Sequence, residues 1–343
     1  MKKILWTAAV LVVLIIIFMA TSYLLSPPGA GEELAQDREI PFPAVIAHRG
    51  ASGVAPESTT IAYELARDMG ADYLEADLQR TKDGEIIAFH DDTPARVTDA
   101  SEVFPGREDD YIETFTYEEL LQLDAGSWFN REFPEKAREE YEGLQVITLE
   151  ELIDIVESGN NNPGLYLETK SAPRHPGIEK DIVRILEKRG WLSSSPEVDP
   201  PDEALNEKRG VPTVNLADKP SRIIFQSFYP ASISELQELA PQIPRVLLIS
   251  PDTSAEQGWR ELLSKADDYG DGIGPNGFLA WPWNLRGARE RNLLIHPYVI
   301  NRPWQMHLMQ FFGADGIFTD YPELALEVYG KSEAINLQEL RKK

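Results

Sequence analysis

One regularity governs what this chain can become. From residue 44 onward, short apolar runs alternate with stretches of helical period, and the alternation repeats eight times. The runs fall at 45–49, 73–77, 165–170, 222–228, 245–249, about 271–275, 295–300 and 316–319. Helical patterns fall at about 58–69, 148–158, 177–190, 232–240, 255–269, 283–291 and 303–313. Apolar runs joined through helices specify a parallel sheet with helical crossovers. Eight such units in roughly 250–300 residues specify an α/β fold of the closed (β/α)8 TIM barrel type. An open doubly wound sheet is the competing architecture, but no Gly-x-Gly-x-x-Gly or Walker-type phosphate loop follows a strand.

Local signals set the element ends. Ser58 is expected to cap the first barrel helix, with Gly70 as its stop. Thr148 followed three residues later by Glu151 is a capping-box signature. One stretch breaks the alternation: 86–90 is strand-like but follows Thr81-Lys82-Asp83-Gly84, a turn too short for a parallel crossover. Residues 78–90 are therefore expected as a hairpin arm beyond the barrel rim, returning His90 to the level of Glu75 and Asp77. Two polar stretches, 92–146 and 191–220, exceed ordinary connections and are expected as insertions, the first after the second strand.

The amino terminus is a separate unit. Lys2 and Lys3 precede an uncharged run from Ile4 to Leu25, long enough for a single transmembrane helix. No Ala-x-Ala site follows, so the run is read as an uncleaved anchor over 1–25, with a cleaved signal peptide as the alternative. The two lysines place the amino terminus in the cytoplasm and the barrel outside it, periplasmic or extracellular. Residues 26–43 read as a juxtamembrane linker, 44–330 as the barrel and 331–343 as a tail.

Composition narrows the chemistry. There are no cysteines, which excludes disulfides, thiolate metal sites and a cysteine nucleophile. A net charge of −24 argues against nucleic acid as a partner. An anionic substrate would need a local positive site.

Such a site is expected at the carboxyl ends of the strands. His48 and Arg49 end the first, Glu75 and Asp77 the second, Glu168 and Lys170 the third, and His90 returns on the arm. Residues two apart in a strand share a face, so Glu75 projects with Asp77, and Glu168 with Lys170. Three converging carboxylates repel one another unless a cation lies between them, and all-oxygen ligands select one hard divalent ion, Ca²⁺ or Mg²⁺. The competing reading is a rim network of salt bridges among Arg49, Lys170 and the carboxylates. Arg49 and Lys170 suit phosphate oxygens. His48 and His90 suit the base and acid of an in-line displacement, since imidazole titrates near neutral pH. The set reads as phosphodiester cleavage.

These stretches carry a resemblance. Ala47–Thr59, Glu75-Ala76-Asp77, His90-Asp91, Glu168-Thr169-Lys170 and Gly316-Ile317-Phe318-Thr319-Asp320-Tyr321-Pro322 together resemble the glycerophosphodiester phosphodiesterase family, over about residues 44–325. The resemblance implies a TIM barrel with an insertion after the second strand, and metal-dependent hydrolysis of glycerophosphodiesters to glycerol 3-phosphate and an alcohol. It implies His48 and His90 as catalytic residues, Glu75, Asp77 and Glu168 as metal carboxylates, and Arg49 and Lys170 as phosphate ligands. Glu57 matches a family acid near the metal and glycerol. Attack comes either from the glycerol hydroxyl beside the phosphate or directly from water. The family commonly has Pro-Glu-Asn-Thr where this chain has Pro56-Glu57-Ser58-Thr59, with serine expected to keep the N-cap role. The usual Trp-Thr-Val-Asn is replaced by Tyr298-Val299-Ile300-Asn301, which reshapes the pocket.

Other readings of the same features are a lysophospholipase D-type or phosphoinositide-type phosphodiesterase, a noncatalytic phosphodiester-binding protein, and a structural membrane protein. His175 is expected in a surface loop, His296 as a buried hydrogen-bonded residue and His307 in helix packing. Phe228, Tyr298 and Trp304 are candidates for the pocket wall. The Trp281-Pro282-Trp283 pair would line an alcohol pocket, meet a membrane interface or pack under a loop.

Overall fold

The computed structural model describes residues 2–27, 29–159, 161–192 and 220–332. Nine strands are described: β1 (Ala44–Ala47), β2 (Tyr73–Arg80), β3 (Ile86–Ala88), β4 (Gly164–Thr169), β5 (Ile223–Ser227), β6 (Arg245–Ile249), β7 (Gly272–Pro275), β8 (Leu294–Ile295) and β9 (Gly316–Thr319). Eight form one parallel sheet in the order β8-β7-β6-β5-β4-β2-β1-β9. β3 pairs antiparallel with β2, Leu78 opposite Ala88, as the short turn requires.

The sheet is a nearly closed barrel. The seam between β8 and β9 is bridged by backbone bonds, from Phe318 N to Pro297 O at 3.0 Å and from Ile300 N to Phe318 O at 2.8 Å. The expected strand 295–300 thus forms only as Leu294–Ile295. Pro297 within the run has no N–H to give a ladder, so the chain continues past it irregularly. On the outside lie α1 (Lys2–Leu25), α2 (Glu32–Asp37), α3 (Thr60–Asp68), α4 (Leu149–Ser158), α5 (Ile178–Lys188), α6 (Pro230–Leu239), α7 (Trp259–Tyr269), α8 (Pro282–Arg289), α9 (Pro303–Phe311) and α10 (Pro322–Val328). α4 carries the expected capping box. α3 departs from expectation: its cap is Thr59, whose side chain accepts from Ala62 N. Ser58 is held at φ 57°, a conformation that asparagine adopts more readily than serine.

Strand parity divides the core. Leu74, Ala76, Leu78, Leu165 and Leu167 face the helices in the main cluster. Tyr73, Tyr166, Ile224, Val246 and Phe318 fill the barrel interior. The Tyr166 ring lies 5.8 Å from Tyr73 and 4.9 Å from Phe318. By the same period of two, the residues after Tyr73 and Tyr166 on the inner face are Glu75, Asp77 and Glu168. The apolar layer is therefore the base on which the carboxylates stand.

Residues 92–146 fold against the arm as their own apolar cluster, including Val97, Ile112, Phe115 and Leu123. Most of the stretch 191–220 lies outside the described residues. In the expected linker, 26–43, α2 forms and Ala35 and Ile40 are buried among the lower interior residues. Arg38 donates to Asp271 O at 2.7 Å. The expected anchor coincides with α1, whose described side chains begin at Val10. Among the described residues, no helix is long and apolar enough to cross a membrane.

Candidate active site

The site begins where β1 ends. The strand stops at Ala47, so His48 and Arg49 sit in the turn that follows it. His48 N donates to Thr319 O at 3.0 Å, which ties the turn to β9. Arg49 and Gly50 then take positive φ, 55° and 84°. Gly50 is required there, because a Cβ would lie 2.6 Å from the Ala62 carbonyl carbon. This reversal aims the Arg49 backbone N–H at Glu75 Oε2, 2.8 Å away.

Pairing brings the carboxylates together. Asp77 lies opposite Glu168 in the β2–β4 register, and Glu168 opposite Gln226 in β4–β5. Oxygens of Glu75, Asp77 and Glu168 lie within 4.8 Å of one another, and all three residues are buried. On the arm, Phe89 N donates to Asp77 O at 2.8 Å, which places His90 beside Glu75 and Asp77 as expected. His48, Arg49, Glu75, Asp77, His90, Glu168 and Lys170 all line one cavity of about 180 Å³. Glu57 stands behind it and accepts from Arg49 Nη1 at 2.9 Å.

Electrostatics set the charge states. Burial, then the charge of Asp77, pushes Glu75 well above the usual carboxylate range. Burial and Asp77 also push Glu168 up to about 8, against the pull of Lys170. Burial opposes the ionisation of Asp77, but Lys170, His90 and Arg49 outweigh it and hold the carboxyl far below the usual range. Lys170 Nζ is 3.3 Å from Asp77 Oδ1 and 3.4 Å from Glu168 Oε1, and Arg49 Nε is 3.1 Å from Asp77 Oδ2. The rim salt bridges weighed from sequence are thus present. Asp77 Oδ2 and Glu168 Oε1, although within ion-pair reach of Arg49 and Lys170, are buried and accept no hydrogen bond. An all-oxygen trio with two such atoms fits a hard divalent cation.

Each site histidine has its own carboxylate. His48 Nδ1 lies 2.7 Å from Asp320 Oδ1, and His90 Nδ1 lies 2.6 Å from Asp91 Oδ1. Asp320 is fixed by Ser52 Oγ at 3.1 Å, and its backbone N–H donates to Asn301 Oδ1 at 2.9 Å. Arg96 bridges Asp91 and Glu57, giving 2.9 Å to Asp91 Oδ1 and 2.7 Å to Glu57 Oε1. Burial lowers the pKa of His48, and Arg49 lowers it further, against the raising effect of Asp320. Burial opposes the ionisation of Asp320, but the His48 hydrogen bond and charge bring its pKa down to about 2. Sequence reasoning assigned no role to Asp320, Asn301, Ser52 or Arg96. Asp91 was adjacent to His90 and was legible only as part of a motif.

The remaining residues separate cleanly. Phe228 and Tyr298 line the cavity. His175 is buried, not in a surface loop, because its Nε2 meets Gln79 Oε1 at 3.3 Å beneath the arm. His296 is buried with Nδ1 3.1 Å from Tyr166 Oη. His307 is exposed, so it has no packing role.

Comparison with known proteins agrees with this geometry. The model of the glycerophosphoryl diester phosphodiesterase family matches residues 48–324. The chain is similar to a glycerophosphodiester phosphodiesterase of Bacillus subtilis strain 168, 34% identical over 306 residues, covering 88% of this chain and 92% of the relative. A glycerophosphodiester phosphodiesterase of Caldanaerobacter subterraneus subsp. tengcongensis is 27% identical over 84% of this chain and 98% of its own. Among solved structures, an Oleispira antarctica phosphodiesterase in complex with the product sn-glycerol-3-phosphate superposes with a TM-score of 0.63. It is 25% identical and covers 84% of this chain and 97% of its own.

Proposed function

Because the chain belongs to the glycerophosphoryl diester phosphodiesterase family and is a glycerophosphodiester phosphodiesterase, we propose that it hydrolyses glycerophosphodiesters to glycerol 3-phosphate and an alcohol by paired histidine catalysis on a divalent cation. The observation that carries this reading is the pair of histidine–aspartate couples opening on one cavity, with the carboxylate trio between them.

Glu75, Asp77 and Glu168 would hold the ion, Ca²⁺ or Mg²⁺, which when bound neutralises phosphate charge and polarises phosphorus. Arg49 and Lys170 grip the remaining phosphate oxygens, one as a fork and one as a point charge. Glu57 fixes the Arg49 guanidinium, and its match to a family acid near the metal and the glycerol supports a role in substrate binding. Asp320 and Asp91 each engage an Nδ1, which leaves Nε2 of each ring for chemistry. His48, kept neutral by burial, takes the proton from the attacking oxygen. His90 gives a proton to the alcohol as its bond to phosphorus breaks. The attacking oxygen belongs either to the adjacent glycerol hydroxyl, through a cyclic phosphate that water opens, or to water directly.

We further propose that α1 anchors the protein in a membrane, with Lys2 and Lys3 in the cytoplasm and the barrel outside. A cleaved leader is the alternative.

Glycerophosphocholine turnover, measured after chelation and after return of each ion, tests the catalytic reading. Activity should vanish on chelation and return with Ca²⁺ or Mg²⁺. Undiminished turnover in excess chelator would overturn the role of the trio. Extraction of the full chain from membranes by alkali would overturn the anchor.

A further inference from the structure

Beside the carboxylate trio, Glu57, His90 and Asp91 gather ligand-type atoms within 4.8 Å of one another, as a second metal site would. A cation of the chain's own already stands among them. Arg96, near the start of the insertion, sets its guanidinium between the two carboxylates. Its Nη1 and Nη2 donate to Glu57 Oε2 and Oε1 at 3.1 and 2.7 Å. Its Nη2 also donates to Asp91 Oδ1 at 2.9 Å, and its Nε to Asp91 Oδ2. Trp128, later in the same insertion, lies with its ring centre 5.8 Å from the guanidinium carbon, within reach of a cation–π contact.

A single ion pair on a side chain that is 46% exposed would contribute little. Two forked pairs on one guanidinium are a different case, because the planar donor fixes the orientation of each carboxylate as well as its distance. What the carboxylates hold in turn gives the fork its meaning. Asp91 Oδ1 meets His90 Nδ1 at 2.6 Å, and Glu57 Oε1 accepts from Arg49 Nη1 at 2.9 Å. The contacts therefore run His90–Asp91–Arg96–Glu57–Arg49, from the proton donor of the alcohol to the grip on phosphate. Among the described residues, Arg96 is the one group bonded to both carboxylates. Burial works against their charge, but the His90 hydrogen bond and Arg96 hold Asp91 well below the usual range, and Arg96 and Arg49 lower Glu57. Without the guanidinium, two ionised carboxylates this close would repel and turn away from their partners.

We propose that Arg96 is a positioning residue that orients His90 through Asp91 and Arg49 through Glu57, so that proton donation to the alcohol and the hold on phosphate are aligned by one side chain. This rests on the phosphodiesterase reading above. It gives the insertion after the second strand a part in turnover, since the insertion supplies both Arg96 and the ring of Trp128 beside it.

Leaving-group chemistry tests it on the full chain. The choline of glycerophosphocholine needs a proton as it departs, whereas 4-nitrophenol leaves the corresponding glycerophosphodiester without one. In Arg96→Ala, kcat on glycerophosphocholine should fall by roughly 10–100-fold, and the deficit on the nitrophenyl diester should be about tenfold smaller. KM should rise on both substrates alike, and glycerol 3-phosphate should inhibit less well, because all three present phosphate to Arg49. A merely structural role would lower both rates equally. Arg96→Lys keeps the charge and loses the fork, so it should show the same dependence on leaving group with a Tm near the parent's; it decides the matter if the alanine variant does not fold. With the parent active, three results each overturn the inference and leave the phosphodiesterase reading standing: equal deficits on the two substrates, an unchanged KM, or full activity in Arg96→Lys. No turnover of either substrate by the parent sinks that reading and this inference together.

Discussion

Removing divalent cations should turn the carboxylate trio into a pH-dependent weakness of the whole barrel. With no cation present, burial and the charge of Asp77 raise Glu168 from 4.5 to about 8. Between those values the folded protein keeps a proton that the unfolded chain has released, so stability falls as pH rises through the interval. At about 1.4 kcal/mol per pH unit, the interval amounts to about 5 kcal/mol from Glu168 alone, and Glu75, also raised, adds in the same direction. An unfolding entropy of about 2.1 cal/mol/K per residue, taken over the family-matched region 48–324, converts the Glu168 share to a Tm loss of roughly 8 °C. Asp77 runs the other way. Its lowered pKa contributes stability that is complete above its unfolded value and lost only in strong acid, so it does not mask the effect. Calorimetry of chelated protein at pH 5, 6, 7 and 8 should show Tm falling steadily. Millimolar Ca²⁺ or Mg²⁺ should lift the pH 8 value most, because the cation replaces the proton. A chelated Tm that stays level or rises over this range, or one that no divalent ion raises at pH 8, would refute the reasoning.

Three other outcomes follow from named contacts. His48→Ala and His90→Ala should each lower kcat by roughly 10²–10⁴-fold with Tm within a degree or two of the parent, as calorimetry and turnover together would show. Asp320→Asn removes the carboxylate that raises His48, so the acid limb of the kcat/KM profile should move to lower pH; kcat should fall by roughly 10–100-fold, because the amide no longer fixes one tautomer. Ser58→Asn relieves serine held at φ 57° and should add up to about 1 kcal/mol, a Tm gain of one to two degrees by calorimetry.

The alternation of apolar runs was enough to give the barrel because buried parallel strands and crossover helices have different periods. The same parity argument placed Glu75 with Asp77 and brought His90 back to them, since a tight turn leaves only antiparallel pairing. Failures came where one residue overrode a pattern. Pro297 cut short the last-but-one strand, and Ser58 looked like a cap until the backbone reversed at that residue and Thr59 took the role. Asp320, Asn301 and Arg96 were not legible as partners, because Asp320 meets His48, Asn301 meets Asp320 and Arg96 meets Glu57 across sequence separations that no local period encodes. Ala35 and Ile40 were hidden for a similar reason: six helical residues among glycines, prolines and acids read as a spacer, and only the lower mouth of the barrel gives them something to bury against.

That burial sets where the protein can be cut. Ser26, Ala35 and Ile40 are buried, and Lys331, after α10, donates to Pro43 O at 2.6 Å on the same underside. On the anchor reading proposed above, a peptidase that frees the barrel with its stopper in place must act ahead of Ala35. Cleavage after Ile40 would uncork the underside of the barrel and release a protein that still carries every catalytic side chain yet has lost its stopper.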